Sequence, residues 1–333
     1  MLAGLLHDIG HGPFSHIWEQ IFPEFDHEEM THNILQKKGY TKVVDILKKK
    51  HPFWQLITST IDMGFRRLRL MSYWNIHEKT KGSYDFTELD KQVALLSKSG
   101  CRATLAIGMR QPRWPETHVP DWTKGMKSTA VEEAYMKFHV AIIERYRDNP
   151  VIESWQLENE FWLRSFGVSF DFSRVRLKRE FATIRALDPH KPIIMSVAHF
   201  GSLPLRGPKP DIYATSMYRV IYQHDSKTYS ITKIPPWQYR IKRWAIRLLR
   251  KRDLIVHELQ AEPWGPKANW EMSKQEQFKS IDARQVQEAV VYARASGIAY
   301  IDMWGAEWWY WRKTHHKDPE LTRTVADLVK NNE

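Results

Sequence analysis

The chain has 333 residues, 42% of them hydrophobic and 27% charged, enough for one large core or a large core with a small appendage. Mean hydropathy is −0.54 and no apolar run approaches the ~18 residues a membrane span needs, so a transmembrane segment is excluded. Lys plus Arg exceed Asp plus Glu by 50 − 39 = 11, but the basic residues are spread along the chain, which reads as solvation, and no nucleic-acid partner is expected.

The opening stretch, MLAGLLHDIGHGPF, lacks the basic n-region of a secretory signal, and its apolar run is broken by His7 and Asp8. The default compartment is therefore the cytoplasm. The single cysteine, Cys101, excludes an intrachain disulfide. Up to about residue 63 the chain reads as helical, with apolar residues at three- and four-residue spacing in Phe14–Phe22, His27–Lys38 and Lys42–Lys50. The texture changes abruptly at Asp62–Gly64. This predicts two domains, a small helical segment over 1–63 and a larger one over 64–333.

Beyond the junction, short β-rich runs alternate with amphipathic helices. Strands are predicted at Arg67–Ser72, Ala103–Gly108, Ile152–Leu157, Pro192–Val197, Ile212–Met217, Leu254–His257 and Ala299–Trp304. Helices are predicted at Phe86–Ser99, Thr129–Arg147, Phe172–Leu187, Trp237–Lys251 and Ser280–Ser296. Alternation of this kind implies a parallel sheet, and the length fits an α/β fold of the (β/α)8 barrel type, a TIM barrel, at roughly 250 residues. Only seven strands are visible, so the barrel is expected to lack its first strand.

The chain holds 15 Trp, many beside polar residues, as in PRWPE, ENEFW, AEPWG and WGAEWWYW. Sugar-binding clefts combine these groups, because pyranose C–H faces pack on indole rings while carboxylates and amides bind hydroxyls. Two apolar strands each deliver a carboxylate. WQLENE ends in Glu160, just past a strand, and LIVHE ends in Glu258. Alternation puts Trp155, Leu157 and Asn159 on one face of the first strand and Gln156 and Glu158 on the other. Glu160 and Glu258 are 98 residues apart, about three βα units, which places them on strands four and seven of a full barrel, facing each other across the mouth. Glycoside cleavage uses such a pair, one carboxyl as proton donor and the other as nucleophile or base. The proline-stiffened PRWPETHVPDW presents Trp114, His118 and Trp122 as a substrate wall, and Trp308, Trp309 and Trp311 are candidates for further sugar stacking.

WQLENE, together with Glu258 and the segment RLRLMSYWNIHEKTKGSYDFTELDKQV, resembles the large clan of (β/α)8 retaining glycosidases that includes cellulases, mannanases and β-galactosidases. The resemblance covers residues 64–333. It implies a glycoside hydrolase that cleaves a β-linked oligo- or polysaccharide by double displacement, with Glu160 as acid/base and Glu258 as nucleophile. It further implies sugar contacts by Asn159 and support from Arg69, Tyr218 and Trp304, with no cofactor. Trp74, Trp114, His118 and Trp308 are added as substrate-binding candidates, and Glu262, in AEPW, competes with Glu258 for the nucleophile role. Phe161 stands where many members of the clan have Pro.

AGLLHDIGHGPFSH resembles a second family, the HD-domain phosphohydrolases, whose relatives include deoxynucleoside triphosphate triphosphohydrolases. Their metal set is His, then His-Asp, then a distant Asp, and the metal activates water against a phosphate ester. His7 and Asp8 match the middle pair. No residue precedes Met1 to supply the first His, and Gly64 stands where the last Asp pattern is expected. The segment is therefore read as a truncated HD-like remnant, with His7, Asp8, His11 and His16 structural, joined to the barrel by a splice near residue 63. A metal-dependent phosphohydrolase and a catalytically inactive sugar-binding barrel are the alternatives. Finally, Pro236–Arg252 carries apolar residues at helical spacing and seven Arg or Lys. It is either the sixth barrel helix, apolar face on the sheet, or a weak contact for an anionic membrane or cell surface.

Overall fold

The computed structural model describes residues 52–163, 167, 172–197 and 207–330. The expected helices before residue 51, with His7, Asp8, His11 and His16, lie outside the described residues. The chain divides into two compact units. Between Arg66 and Gly305, apart from Phe86–Leu95, it forms the unit that carries the sheet.

That sheet has seven parallel strands: β1 (Arg67–Met71), β2 (Arg102–Ala106), β3 (Ile152–Gln156), β4 (Ile193–Val197), β5 (Ile212–Met217), β8 (Asp253–Gln260) and β9 (Ile301–Trp304), hydrogen-bonded in that order. A separate antiparallel hairpin, β6 (Val220–Gln223) and β7 (Thr228–Ile231), fills the connection after β5. It was not foreseen, because its strands are four residues each and half-exposed, with no apolar run longer than Val220–Tyr222. The central strands are near-continuous apolar runs: every residue of β4 is buried, as is common where helices cover one face and packed side chains the other.

Helices follow the strands. In chain order they are α1 (Pro52–Asp62), the single turn α2 (Trp74–His77), α3 (Thr87–Lys98), α4 (Ser128–Tyr146), α5 (Arg174–Leu187), α6 (Pro236–Arg250), the single turn α7 (Lys274–Gln277), α8 (Ala283–Ala295), α9 (Ala306–His315) and α10 (Glu320–Lys330). Local chemistry sets their starts. Ser173 and Asp282 cap α5 and α8 by accepting from the backbone N–H groups of Arg176 and Gln285, and Pro236 occupies the first turn of α6. Helix α4 buries Tyr135, Phe138, Ile142 and Ile143.

The ladder has two ends, β1 and β9, with no backbone pairing between them. Side chains meet there instead: Arg67 lies over the Tyr300 ring at 5.8 Å and Arg69 over Trp304 at 4.7 Å. The sheet thus curls far enough for side chains at or beside its two edge strands to exchange cation–π contacts. The TIM-barrel class holds, with seven strands as read from the sequence.

The second unit comprises the described residues up to Phe65, Phe86–Leu95 and those from Ala306 onward. Phe65 stacks with Trp309 at 6.1 Å, and the Tyr310 hydroxyl donates to Gln55. Trp308 and Trp309 are buried.

Candidate active site

The site lies at the C-terminal ends of the strands, the usual place for chemistry in this architecture. Strand β3 stops at Gln156, and the chain turns sharply. Glu158 and Glu160 both take positive φ, +49° and +43°, a region that non-glycine residues occupy at a cost. The turn overrides simple alternation. Asn159 joins Gln156, whose Nε2 donates to Asn159 Oδ1 at 3.1 Å, while Glu158 turns away toward Arg176. The expected grouping of Asn159 with Trp155 and Leu157 is corrected, because the left-handed residue inserts a half-turn the two-residue period ignores.

Glu160 is held from two strands. Its backbone N–H donates to Ser196 Oγ at 2.7 Å, and Ser216 Oγ donates to its Oε1 at 2.5 Å. Burial pushes its pKa up to about 7, with the Glu258 charge adding to the rise. The Ser216 hydrogen bond and the positive charges of Arg110 and Lys242 oppose it. Lys242, on α6, sits buried with its ammonium donating to Thr215 Oγ1 at 3.1 Å. Burial pushes it down to about 7, against the pull of the Glu160 charge.

Glu258 is placed by a bulge. The β5–β8 register runs Thr215 to Val256 and then Ser216 to Glu258, so His257 is one residue extra. A bulge re-aims the side chains beyond it. Without it, Glu258 shares a face with Val256; with it, the carboxylate meets Arg69 Nη2 and the Tyr218 hydroxyl, each at 2.8 Å. The strand runs on to Gln260, so Glu258 sits within it rather than at its end. Tyr218 is held well above the usual phenol range by burial and by Glu258, so it keeps the proton it donates. Ser216 holds one carboxylate and Tyr218 the other. These residues are two apart in the chain, about 6.6 Å along an extended segment, so both acids are anchored at the C-terminal end of β5.

The remaining candidates separate by position. Arg69 also reaches Gln156 Oε1 at 3.2 Å, and Arg113 lies over the Trp304 ring at 4.5 Å. Glu262 pairs with Arg113 at 2.7 Å, which leaves Glu258 as the carboxylate facing Arg69 and Tyr218. His118 is buried against Tyr73, 4.1 Å between ring centres, and burial pushes its pKa down to about 4, so it is neutral at ordinary pH. Trp114 is exposed on its loop. Trp74 is buried among Trp122, Tyr135 and Phe138, with its N–H on Glu78 at 2.5 Å, so it presents no open ring face. Trp308 is buried in α9, within the other unit.

Sequence reasoning passed over Glu116. Its Oε2 accepts from Asn159 Nδ2 at 3.0 Å, and Arg110 lies 3.9 Å away. Burial pushes it up to about 8, with the Asn159 hydrogen bond opposing and the Glu258 charge adding. It is a third carboxyl beside the pair, within the field of Glu258 and Glu160, and nothing in PETH distinguishes it from a loop glutamate. Behind the site, Arg176 donates to both Glu158 and Glu180 at 2.6 Å. Burial and the Glu158 charge raise Glu180 well above the carboxylate range, against the pull of Arg176. Among the described residues no group of three or more metal-ligating side chains occurs.

Two family models match overlapping stretches of the chain. Residues 49–188 match Glyco_hydro_42, the beta-galactosidase family. Residues 1–91 match the HD domain. The two resemblances read from WQLENE and AGLLHDIGHGPFSH hold, and the fusion is consistent with them. The chain is 27% identical over 123 residues to beta-galactosidase Bga of Halorubrum lacusprofundi, covering 32% of this chain and 18% of that protein. It is 40% identical over 73 residues to the uncharacterized protein YwfO of Bacillus subtilis, covering 22% of this chain and 16% of that one. The solved beta-galactosidase from the Antarctic haloarchaeon Halorubrum lacusprofundi superposes with a TM-score of 0.60 at 14% identity, over 86% of this chain and 56% of that one. The barrel fold is therefore shared, while this chain spans less than two thirds of each of these proteins.

Proposed function

We propose that the barrel is a retaining β-glycosidase, with Glu160 as general acid/base and Glu258 as nucleophile. The observation that carries this is the difference between two carboxyl groups that sense each other's charge. Glu160 is buried and held up to about 7, so near neutral pH a large share of it carries a proton. Glu258 faces a guanidinium and a phenol proton. Paired carboxyls with environments that set them apart are the arrangement glycoside cleavage needs.

In the first step Glu160 protonates the glycosidic oxygen as Glu258 Oε attacks the anomeric carbon, and the aglycone leaves as an alcohol. Glu160, now ionised, takes a proton from water, which attacks the same carbon and releases Glu258. Arg69 and Tyr218 hold Glu258 in line, and Asn159 is positioned to meet the sugar's 2-hydroxyl. The glycosyl group passes to Glu258 and then to water, and the protons pass through Glu160, so no cofactor enters. The name of the haloarchaeal relative makes a β-galactoside the first substrate to try, with other β-linked glycans next.

The test uses Glu160→Ala and Glu258→Ala on an aryl β-galactoside and on β-linked oligosaccharides. Each variant is expected to lose about 10³-fold or more in kcat. Azide is expected to restore turnover in both, giving a β-glycosyl azide from Glu160→Ala and an α-glycosyl azide from Glu258→Ala. Full activity in either variant, or inversion at the anomeric carbon by the wild type, refutes the assignment. Sugar binding with no turnover of any of these substrates refutes catalysis and leaves a binding barrel.

A further inference from the structure

Helix α6 is apolar on two opposite faces. Tyr239, Lys242 and Ile246 point into the fold and are almost fully buried. At 100° per residue, the opposite side, about 160° round the helix, carries Trp237, Ile241, Trp244 and Leu248. These four follow at spacings of four, three and four, and are 54%, 53%, 63% and 60% exposed. A barrel helix ordinarily turns its apolar stripe to the sheet and its polar side to water. Here a continuous Trp–Ile–Trp–Leu ridge faces outward instead, which overturns the reading of the whole apolar face as sheet-facing. On the neighbouring helix α8, Val291 is also exposed.

The charge beside the ridge selects its partner. Arg240, Arg247 and Lys251 are exposed and flank the ridge along one side, within about 100° of it. Over Pro236–Asp253 the chain carries seven Arg or Lys against the single carboxylate Asp253, which pairs with Arg243 and Arg247. A ridge of indole and aliphatic groups bordered by cations complements a surface that offers acyl chains beneath anionic headgroups. Indoles settle at that boundary, and arginine and lysine stems lie along apolar surface while their heads reach phosphate. No helix among the described residues is long and apolar enough to cross a membrane, so the contact is peripheral.

We propose that α6 docks the barrel on an anionic lipid bilayer, with Trp237, Ile241, Trp244 and Leu248 inserted at the interface and Arg240 and Lys251 on its headgroups. This is independent of the catalytic assignment, since none of these six side chains contacts the carboxylate pair.

The full chain is mixed with phosphatidylcholine vesicles, with and without about one-third phosphatidylglycerol, at low and high salt, and the bound fraction is read by flotation. Binding is expected to the anionic vesicles, to weaken about 10-fold or more without the anionic lipid, and to weaken again with salt. The variant Trp237→Ser/Ile241→Ser/Trp244→Ser/Leu248→Ser is expected to lose at least about 100-fold in partitioning, since two fully buried side chains of this kind are already worth that much. Arg240→Glu/Lys251→Glu, which leaves the apolar ridge in place, is expected to remove the preference for anionic lipid. All six positions are solvent-facing, and an unchanged melting temperature checks that the variants are folded. Absence of binding at low salt overturns the proposal, and so does binding that both variants retain. Self-association that the ridge variant abolishes, without vesicle binding, assigns the ridge to a second copy of the chain and also overturns it.

Discussion

Ser216→Ala isolates the device that tunes the proposed acid. The substitution removes one hydroxyl, which donates to Glu160 Oε1 at 2.5 Å. That bond favours the ionised carboxylate, so its loss raises the Glu160 pKa above about 7. A hydrogen bond to a charged group contributes about 1.5–3 kcal/mol, and one pKa unit corresponds to about 1.4 kcal/mol, so the rise is about one to two units. Glu160 must be protonated to expel the aglycone, so activity falls on the alkaline side as it ionises. A raised pKa moves that limb to higher pH. The measurement is kcat/KM against pH for a β-glycoside with a basic leaving group, wild type beside variant. A substrate whose leaving group departs without protonation serves as control, and its profile is expected to move less. An alkaline limb that stays in place or moves to lower pH refutes the claim that Ser216 stabilises the ionised acid.

Four further outcomes are expected. Glu258→Gln removes the charge that raises Glu160, so the Glu160 pKa falls below about 7, read by carbon-13 NMR of labelled glutamate in the inactive protein; an unchanged value shows that the two groups do not share a cavity. Glu160 and Glu116 have folded pKa values raised above the ordinary carboxylate range. The stability they confer is therefore complete below about 4.5 and lost as pH rises through about 7 and about 8. The melting temperature should fall from pH 5 to pH 8, and Glu160→Gln should flatten that fall by an amount on the order of 3 kcal/mol at most. Arg176→Met strands Glu158 beside Glu180 and is expected to cost about 3–5 kcal/mol in denaturant unfolding, whereas Glu180→Gln, which keeps the shape and removes a charge that burial disfavours, should cost under about 1 kcal/mol. Glu116→Gln and Asn159→Ala should be non-additive in kcat/KM by about 1 kcal/mol or more, and both effects should shrink on a 2-deoxy glycoside; additive losses on that substrate would place Glu116 outside the sugar-orienting network.

Asn159, Glu160, Glu258, Arg69 and Tyr218 were legible as site candidates because strand ends mark the mouth of a barrel and a known clan shares these residues. Glu116, Ser216 and Lys242 were not. A loop glutamate, a strand serine and a helix lysine have no local signature, and they join the site only because β3, β5 and α6 converge there. The ring candidates divided for the same reason. Trp74 and Trp114 both stand beside polar neighbours in the chain, yet one is enclosed by three aromatic rings and the other is exposed.

The order of the seven sheet strands and of the helices between them followed from the chain alone, because short apolar runs alternating with 3.6-periodic stretches have few ways to bury themselves other than a parallel sheet with helices against it. Which way the decisive side chains point did not. Glu258 faces Arg69 because His257 is an extra residue opposite β5, and Asn159 faces Glu116 because Glu158 adopts a left-handed backbone. A bulge and a positive φ are responses of the backbone to its neighbours in space, and a period of two along the sequence contains no trace of either. The outward ridge on α6 belongs to the same class: both of its faces are apolar in the sequence, and only packing against the barrel decides which one meets water.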